Sequence, residues 1–142
     1  MLFTVNDNSV LNDYFNLSNQ NNNNFNNVLS PKEGLILGNL YVDEYDPYKN
    51  YRPREIKATS MQGKELLKIR ELSFAVIDLN LKLDIEPNNK ELFRLFKLYN
   101  EELNDRIKDY SDKYMPLELC ETNGESFDWI NNPWPWEGDK NV

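Results

Sequence analysis

The stretch from residue 60 to 84 carries apolar side chains on two nearly opposite sides of a helix, and this limits what the chain can fold into. At 100° per residue, Ile69, Leu72, Val76, Leu79 and Leu83 form one stripe at 3-4-3-4 spacing. Leu67, Phe74, Ile77 and Leu81 form a second. Two polar strips separate them: Glu71, Asp78 and Lys82 on one side, Ser73, Asn80 and Asp84 on the other. Burying one large aliphatic or Phe side chain contributes roughly 1.5–3 kcal/mol. A stripe of four or five therefore offers about 6–15 kcal/mol, as much as the whole stability of a small domain. One neighbouring helix covers one stripe, so something else has to cover the other.

The next segment supplies the first neighbour. Pro87-Asn88-Asn89 breaks the helix, Asn88 is placed to cap a second one with Glu91 at its third position, and Met115-Pro116 ends it. Leu92, Phe96, Tyr99, Leu103, Ile107, Tyr110 and Tyr114 fall on one narrow stripe. Arg94, Lys97, Glu101, Asp105, Lys108 and Asp112 lie opposite, the pattern of a half-solvated helix. So short a break makes an antiparallel hairpin the default. Within it, Ser73 and Asn80 are expected to hydrogen-bond at the helix–helix seam. Asp78 and Lys82, at i and i+4, are expected to form a solvated ion pair. A capping box from Thr59 to Gln62 is expected to start the first long helix.

Two flanking segments could cover the second stripe. Residues 30–57 begin SPKEGLILGN, in which Ser30 caps, Pro31 suits the first position, Glu33 completes a capping box and Gly38 stops the helix. That predicts about two helical turns over 31–37. An irregular strap follows, with Tyr41, Tyr45, Tyr48 and Tyr51 among turn residues. Residues 118–142 hold Phe127, Trp129 and the ending NNPWPWEGDKNV. Pro133 and Pro135 alternate with Trp134 and Trp136, which rules out an ordinary helix and points to an extended, pre-ordered segment. Such a segment either packs back over the hairpin or docks on a partner, and Trp is favoured at interface hot spots. Another subunit is the third possible cover. The remaining part, 1–29, is asparagine-rich, with QNNNNFNN at 20–27, and is expected to be disordered. The expected organisation is thus 1–29, 30–57, the hairpin 58–117 and the Trp/Pro segment 118–142, an all-α chain.

Composition narrows the chemistry. The chain has no histidine, which removes Ser-His-Asp, Cys-His and His-bearing metal sites. No catalytic, cofactor or metal-binding residue is assigned. A formal charge of −8 disfavours nucleic acid and anionic membrane as main partners. No apolar run reaches the ~20 residues that span a bilayer. MLFTVNDNSVLND lacks a basic start and a continuous apolar core, so no signal peptide is expected. Cys120 is the single cysteine and reads as a spare thiol.

ELSFAVIDLNLKLDIEPNN at 71–89, the amphipathic helix after it, KYMPL at 113–117 and NNPWPWE at 131–137 resemble, in order and spacing, the spore coat protein family CotJB. The residues carried by the motif are Phe74, Asp78, Asn80, Asp84, Pro116, Trp134, Pro135 and Trp136. SPKEGLILGNLYVDEYDPYKN at 30–50 resembles the C-terminal half of a neighbouring small coat protein, CotJA. The resemblance implies a non-enzymatic component of the endospore coat, made in the mother-cell cytoplasm. It also implies assembly with a third protein, CotJC, which is similar to manganese catalases.

The favoured expectation is therefore an assembly adaptor. Trp129, Pro133, Trp134, Pro135, Trp136, Phe74, Ile77, Leu81, Tyr45 and Tyr48 are the candidate partner-binding residues. Two other readings stand beside it: a carboxylate-based metal-binding or hydrolytic enzyme, suggested by 24 Asp plus Glu, and a scaffold that self-associates through its Asn tract and tyrosines.

Overall fold

The computed structural model describes residues 27–44, 53–122 and 125–131. Tyr45, Tyr48 and the segment Pro133–Trp136 lie outside these residues, as does the Asn tract up to residue 26. Among the described residues three α-helices make the fold: α1 (Pro31–Leu37), α2 (Met61–Ile85) and α3 (Lys90–Lys113). Among the described residues there is no strand, only an isolated antiparallel bridge between Val28 and Tyr41.

Local chemistry sets each helix end. Ser30 and Glu33 form the expected capping box on α1, and Gly38 closes it in the left-handed region at φ 77°. The cap of α2 is Ser60, whose hydroxyl accepts from Gly63 N–H at 2.9 Å, rather than the expected Thr59. The cap of α3 is Asn89, accepting from Leu92 N–H at 3.1 Å, rather than Asn88. Both shifts are one residue long, because neighbouring residues of equal capping ability compete and the start of the packed face decides between them.

The two long helices pack as the expected hairpin. Ile69, Leu72 and Leu79 of the first stripe are buried, as are Leu92, Leu103 and Tyr110 of α3. The charged row of α3 from Arg94 to Asp112 is exposed throughout. Two apolar clusters divide the seam. At the open end, Leu66, Ile69, Leu72, Leu103 and Tyr110 pack together under Met115 and Leu117. At the turn end, Ala75, Leu79, Leu92 and Leu95 surround Leu40, which comes from the segment upstream of α2 and is fully buried.

That upstream segment forms a compact arm. Leu29 N–H donates to Leu40 carbonyl at 2.8 Å, closing residues 29–40 into a loop around α1. The arm does not cover the second apolar stripe along its length. It lies along the polar strip of α2 instead. Asp78 accepts a hydrogen bond from Leu40 N–H at 2.8 Å, and Lys82 pairs with Glu44 of the arm and with Glu86. The solvated Asp78–Lys82 pair is thus replaced by two bonds to the arm: the strip is a docking rail, and a backbone amide shut off from water needs an acceptor, while Lys82 finds its own partners in Glu44 and Glu86. Asn80 is exposed and away from the seam, where it was expected.

Candidate interaction surface

Ile77 and Leu81 face solvent at 62% and 56% exposure, and Ile85 continues the row at 78%. The spacing is i, i+4, i+8, so the three side chains sit above one another on one face over about 12 Å of helix. The other two members of the second stripe, Leu67 and Phe74, are half-buried. Phe74 is held on the arm side, packed against the turn-end cluster and next to Gly34 of α1. Thus the structure brings Ile77 and Leu81 together with Ile85, and sets Phe74 at the edge of the same face. Sequence reasoning missed Ile85, which lies one residue past the expected helix at 60–84, although it extends the same four-residue spacing.

The arm shapes the surroundings of this row. Tyr41 lies under Lys82, whose ammonium is 5.3 Å from the ring centre. The Tyr41 hydroxyl is buried with no hydrogen-bond partner among the described residues. Burial, with the carboxylates of Asp78, Glu44 and Glu86 nearby, raises its pKa well above the ordinary phenol value. Lys82 is held charged chiefly by its hydrogen bond to Glu44.

At the opposite end, residues 115–121 fold back on α3. One carboxylate oxygen of Glu121 accepts from Leu117 N–H at 3.0 Å, Glu118 N–H at 3.2 Å and the Ser111 hydroxyl at 2.7 Å. Tyr110, buried beneath, accepts from the Gln62 side chain at 3.0 Å. Burial raises the Tyr110 phenol pKa, with the Gln62 bond opposing. Leu119 within this knot is exposed, as are Phe127 and Ile130 beyond it, and Trp129 is half-buried in a single 3-10 turn, Asp128–Ile130.

The geometry offers docking chemistry. The carboxylates of Glu55, Glu65, Glu71 and Glu102 are tied to Lys32, Lys113, Lys68 and Arg106. Among the described residues no three Cys, Asp or Glu side chains gather in a group able to hold a metal ion, and no helix is long and apolar enough to cross a membrane.

No curated protein and no solved structure matches the chain. A family model, CotJB protein, matches residues 63–137. The match takes in α2 from residue 63 onward, α3, the knot at Glu121 and the Trp/Pro motif. It does not reach residues 30–50, and nothing in the comparisons attaches the arm to CotJA. With more than half of its length inside that match, the chain belongs to the CotJB family of spore coat proteins.

Proposed function

We propose that the chain is a non-enzymatic assembly adaptor of the endospore coat, made in the mother-cell cytoplasm, that docks other coat proteins, a manganese-catalase-like CotJC protein among them. The observation that carries this reading is the exposed row Ile77, Leu81 and Ile85. Large apolar side chains aligned on one face of a charged chain are a liability in water and mark an interaction site. Phe74 at the edge of the row would add an aromatic anchor. Trp129 and the Pro133, Trp134, Pro135, Trp136 motif would provide a second contact, with Tyr45 and Tyr48 from the strap.

The test is co-expression of the full chain with the catalase-like protein, followed by affinity capture. Ile77→Lys with Leu81→Lys should sharply reduce recovery of the partner while leaving helix content and thermal stability unchanged. The Trp134→Ala, Trp136→Ala chain tests the tail separately. Full recovery with the Ile77→Lys, Leu81→Lys chain would remove the row from the docking surface. Failure of the wild type to capture the partner would remove that partner.

A further inference from the structure

The arm at residues 27–44 has the properties of a separable ligand. It closes on itself: Val28 bridges Tyr41, Val42 N–H donates to Asn27 carbonyl at 3.3 Å, and the Asn27 side chain bonds Asp43. It meets the hairpin through buried Leu40, the Asp78–Leu40 amide bond and the Lys82–Glu44 pair, with α1 packed beside Phe74. The side chains that receive it, Ala75, Asp78, Leu79, Lys82, Leu92 and Leu95, all lie within the family match, while the arm lies wholly outside it. The residues that line the groove and the segment that fills it thus come from different parts of the chain, one inside the match and one outside it.

The connection between the two is long. Sixteen residues, 45–60, join the arm to α2. Fully extended they span about 55 Å, against about 36 Å for α3. Of the described part, Arg54 to Lys57 are exposed, and Glu55 pairs with Lys32 of α1 rather than with the hairpin.

We propose that this groove accepts residues 27–44 of a second copy, so that neighbouring chains exchange arms. Exchange of an identical element costs little, because every contact is kept and only the connection changes. Effective concentration decides when it occurs. Tethering through these 16 residues holds a chain's own arm at an effective concentration of about a millimolar. At ~10 μM the chain's own arm is thus favoured about 100-fold, and at ~1 mM the two modes become comparable. Copies packed together in an assembled layer meet that condition. The exchange itself rests on the fold and does not depend on which coat protein the α2 row binds.

The test uses full-length chains carrying Cys120→Ser. One chain carries Glu44→Cys, the other Lys82→Cys with an affinity tag, since the native side chains meet at their tips across the groove. Cysteines there are shorter than the pair they replace, so the link is made with a bismaleimide that spans the gap. The two chains are mixed, equilibrated at ~10 μM and at ~1 mM, crosslinked briefly and read by mass spectrometry. The expected result is a crosslink between positions 44 and 82 of different chains that rises at least tenfold over this range, exceeds the 44–44 and 82–82 links, and falls when Leu40→Asp is added to the first chain. A single chain carrying both cysteines serves as the geometric control and should close internally at ~10 μM. If that control closes while the interchain 44–82 link stays level with the chance links at ~1 mM, arm exchange is ruled out. An interchain link indifferent to Leu40→Asp would overturn it equally.

Discussion

Ile77 and Leu79 are two residues apart on α2 and have opposite surroundings: Leu79 is fully buried, Ile77 is 62% exposed. Leu79→Ala should therefore destabilise the chain by about 2–5 kcal/mol, through lost burial and the cavity left behind. Ile77→Ala should stay within about 0.5 kcal/mol of wild type. Urea unfolding of both variants checks the pair. A large loss at Ile77 would mean that the row is covered in the free molecule and is not available for docking.

Gly34 and Gly38 should respond to alanine for different reasons. A Cβ on Gly34 would clash with Leu40 Cδ2 and lie 3.2 Å from Leu40 Cγ, and Leu40 is fully buried. Overpacking of this kind costs about 1–3 kcal/mol, outweighing the gain of up to about 1 kcal/mol that alanine brings to a helix interior. Gly38 has no neighbour within 4 Å, but its φ of 77° strains any other residue, so its loss should be about 1 kcal/mol. Adding Leu40→Ala should remove most of the Gly34→Ala penalty and none of the Gly38→Ala penalty, a contrast that denaturation midpoints resolve.

Alkaline pH should weaken the fold through its tyrosines. Tyr41, Tyr99 and Tyr110 all have phenol pKa values raised in the folded state, burial being the largest cause for each. Above about pH 10 the unfolded chain loses these protons while the folded chain keeps them. The unfolded state then binds fewer protons, so stability is whole below pH 10 and falls as pH rises through and beyond it. Tyr41→Phe should flatten this decline and cost nothing at neutral pH, because it removes a buried hydroxyl that no described group satisfies. Unfolding midpoints against pH, with phenolate absorbance read alongside, give both results.

Cys120 should react slowly. Its thiol pKa is raised by partial desolvation and by the Glu118 carboxylate, whose oxygen lies 3.6 Å from the sulfur, and the thiolate is the reactive form. Alkylation near neutral pH should be slower than for a free thiol of a model peptide, and Glu118→Gln should speed it. Rates followed by mass spectrometry settle the direction.

The hairpin was legible in the sequence because its signals are periodic. The α3 stripe and the first α2 stripe each repeat over several turns, and a pattern that long leaves one packing solution. The short helix was legible for another reason: Ser30, Glu33 and Gly38 act locally, so their roles do not depend on the rest of the chain. What could not be read was which side of α2 the arm would take. Apolar area alone pointed to the Phe74, Ile77, Leu81 stripe. The outcome turned on Ala75, small enough to admit Leu40 beside Leu79, and on Asp78, whose carboxylate meets a main-chain amide 38 residues away. Neither leaves a periodic trace. Leu95 escaped notice because it sits off the α3 stripe and is buried only at the turn-end cluster. The Trp134 and Trp136 motif was visible at once, and the family match includes it, yet composition says only that such rings seek a surface.

The bond from Leu40 to Asp78 has a consequence for alignment. Grease tolerates sliding: a leucine shifted by a turn still finds methyl groups. A hydrogen bond at 2.8 Å does not, and neither does an amine that has to reach one carboxylate. With Asp78 and Lys82 one turn apart on the same strip, the arm meets a two-point gauge, and only one seating satisfies both marks. Polar residues that add little to the strength of attachment thereby choose its register, so loss of either mark would leave an arm that still adheres but no longer knows where.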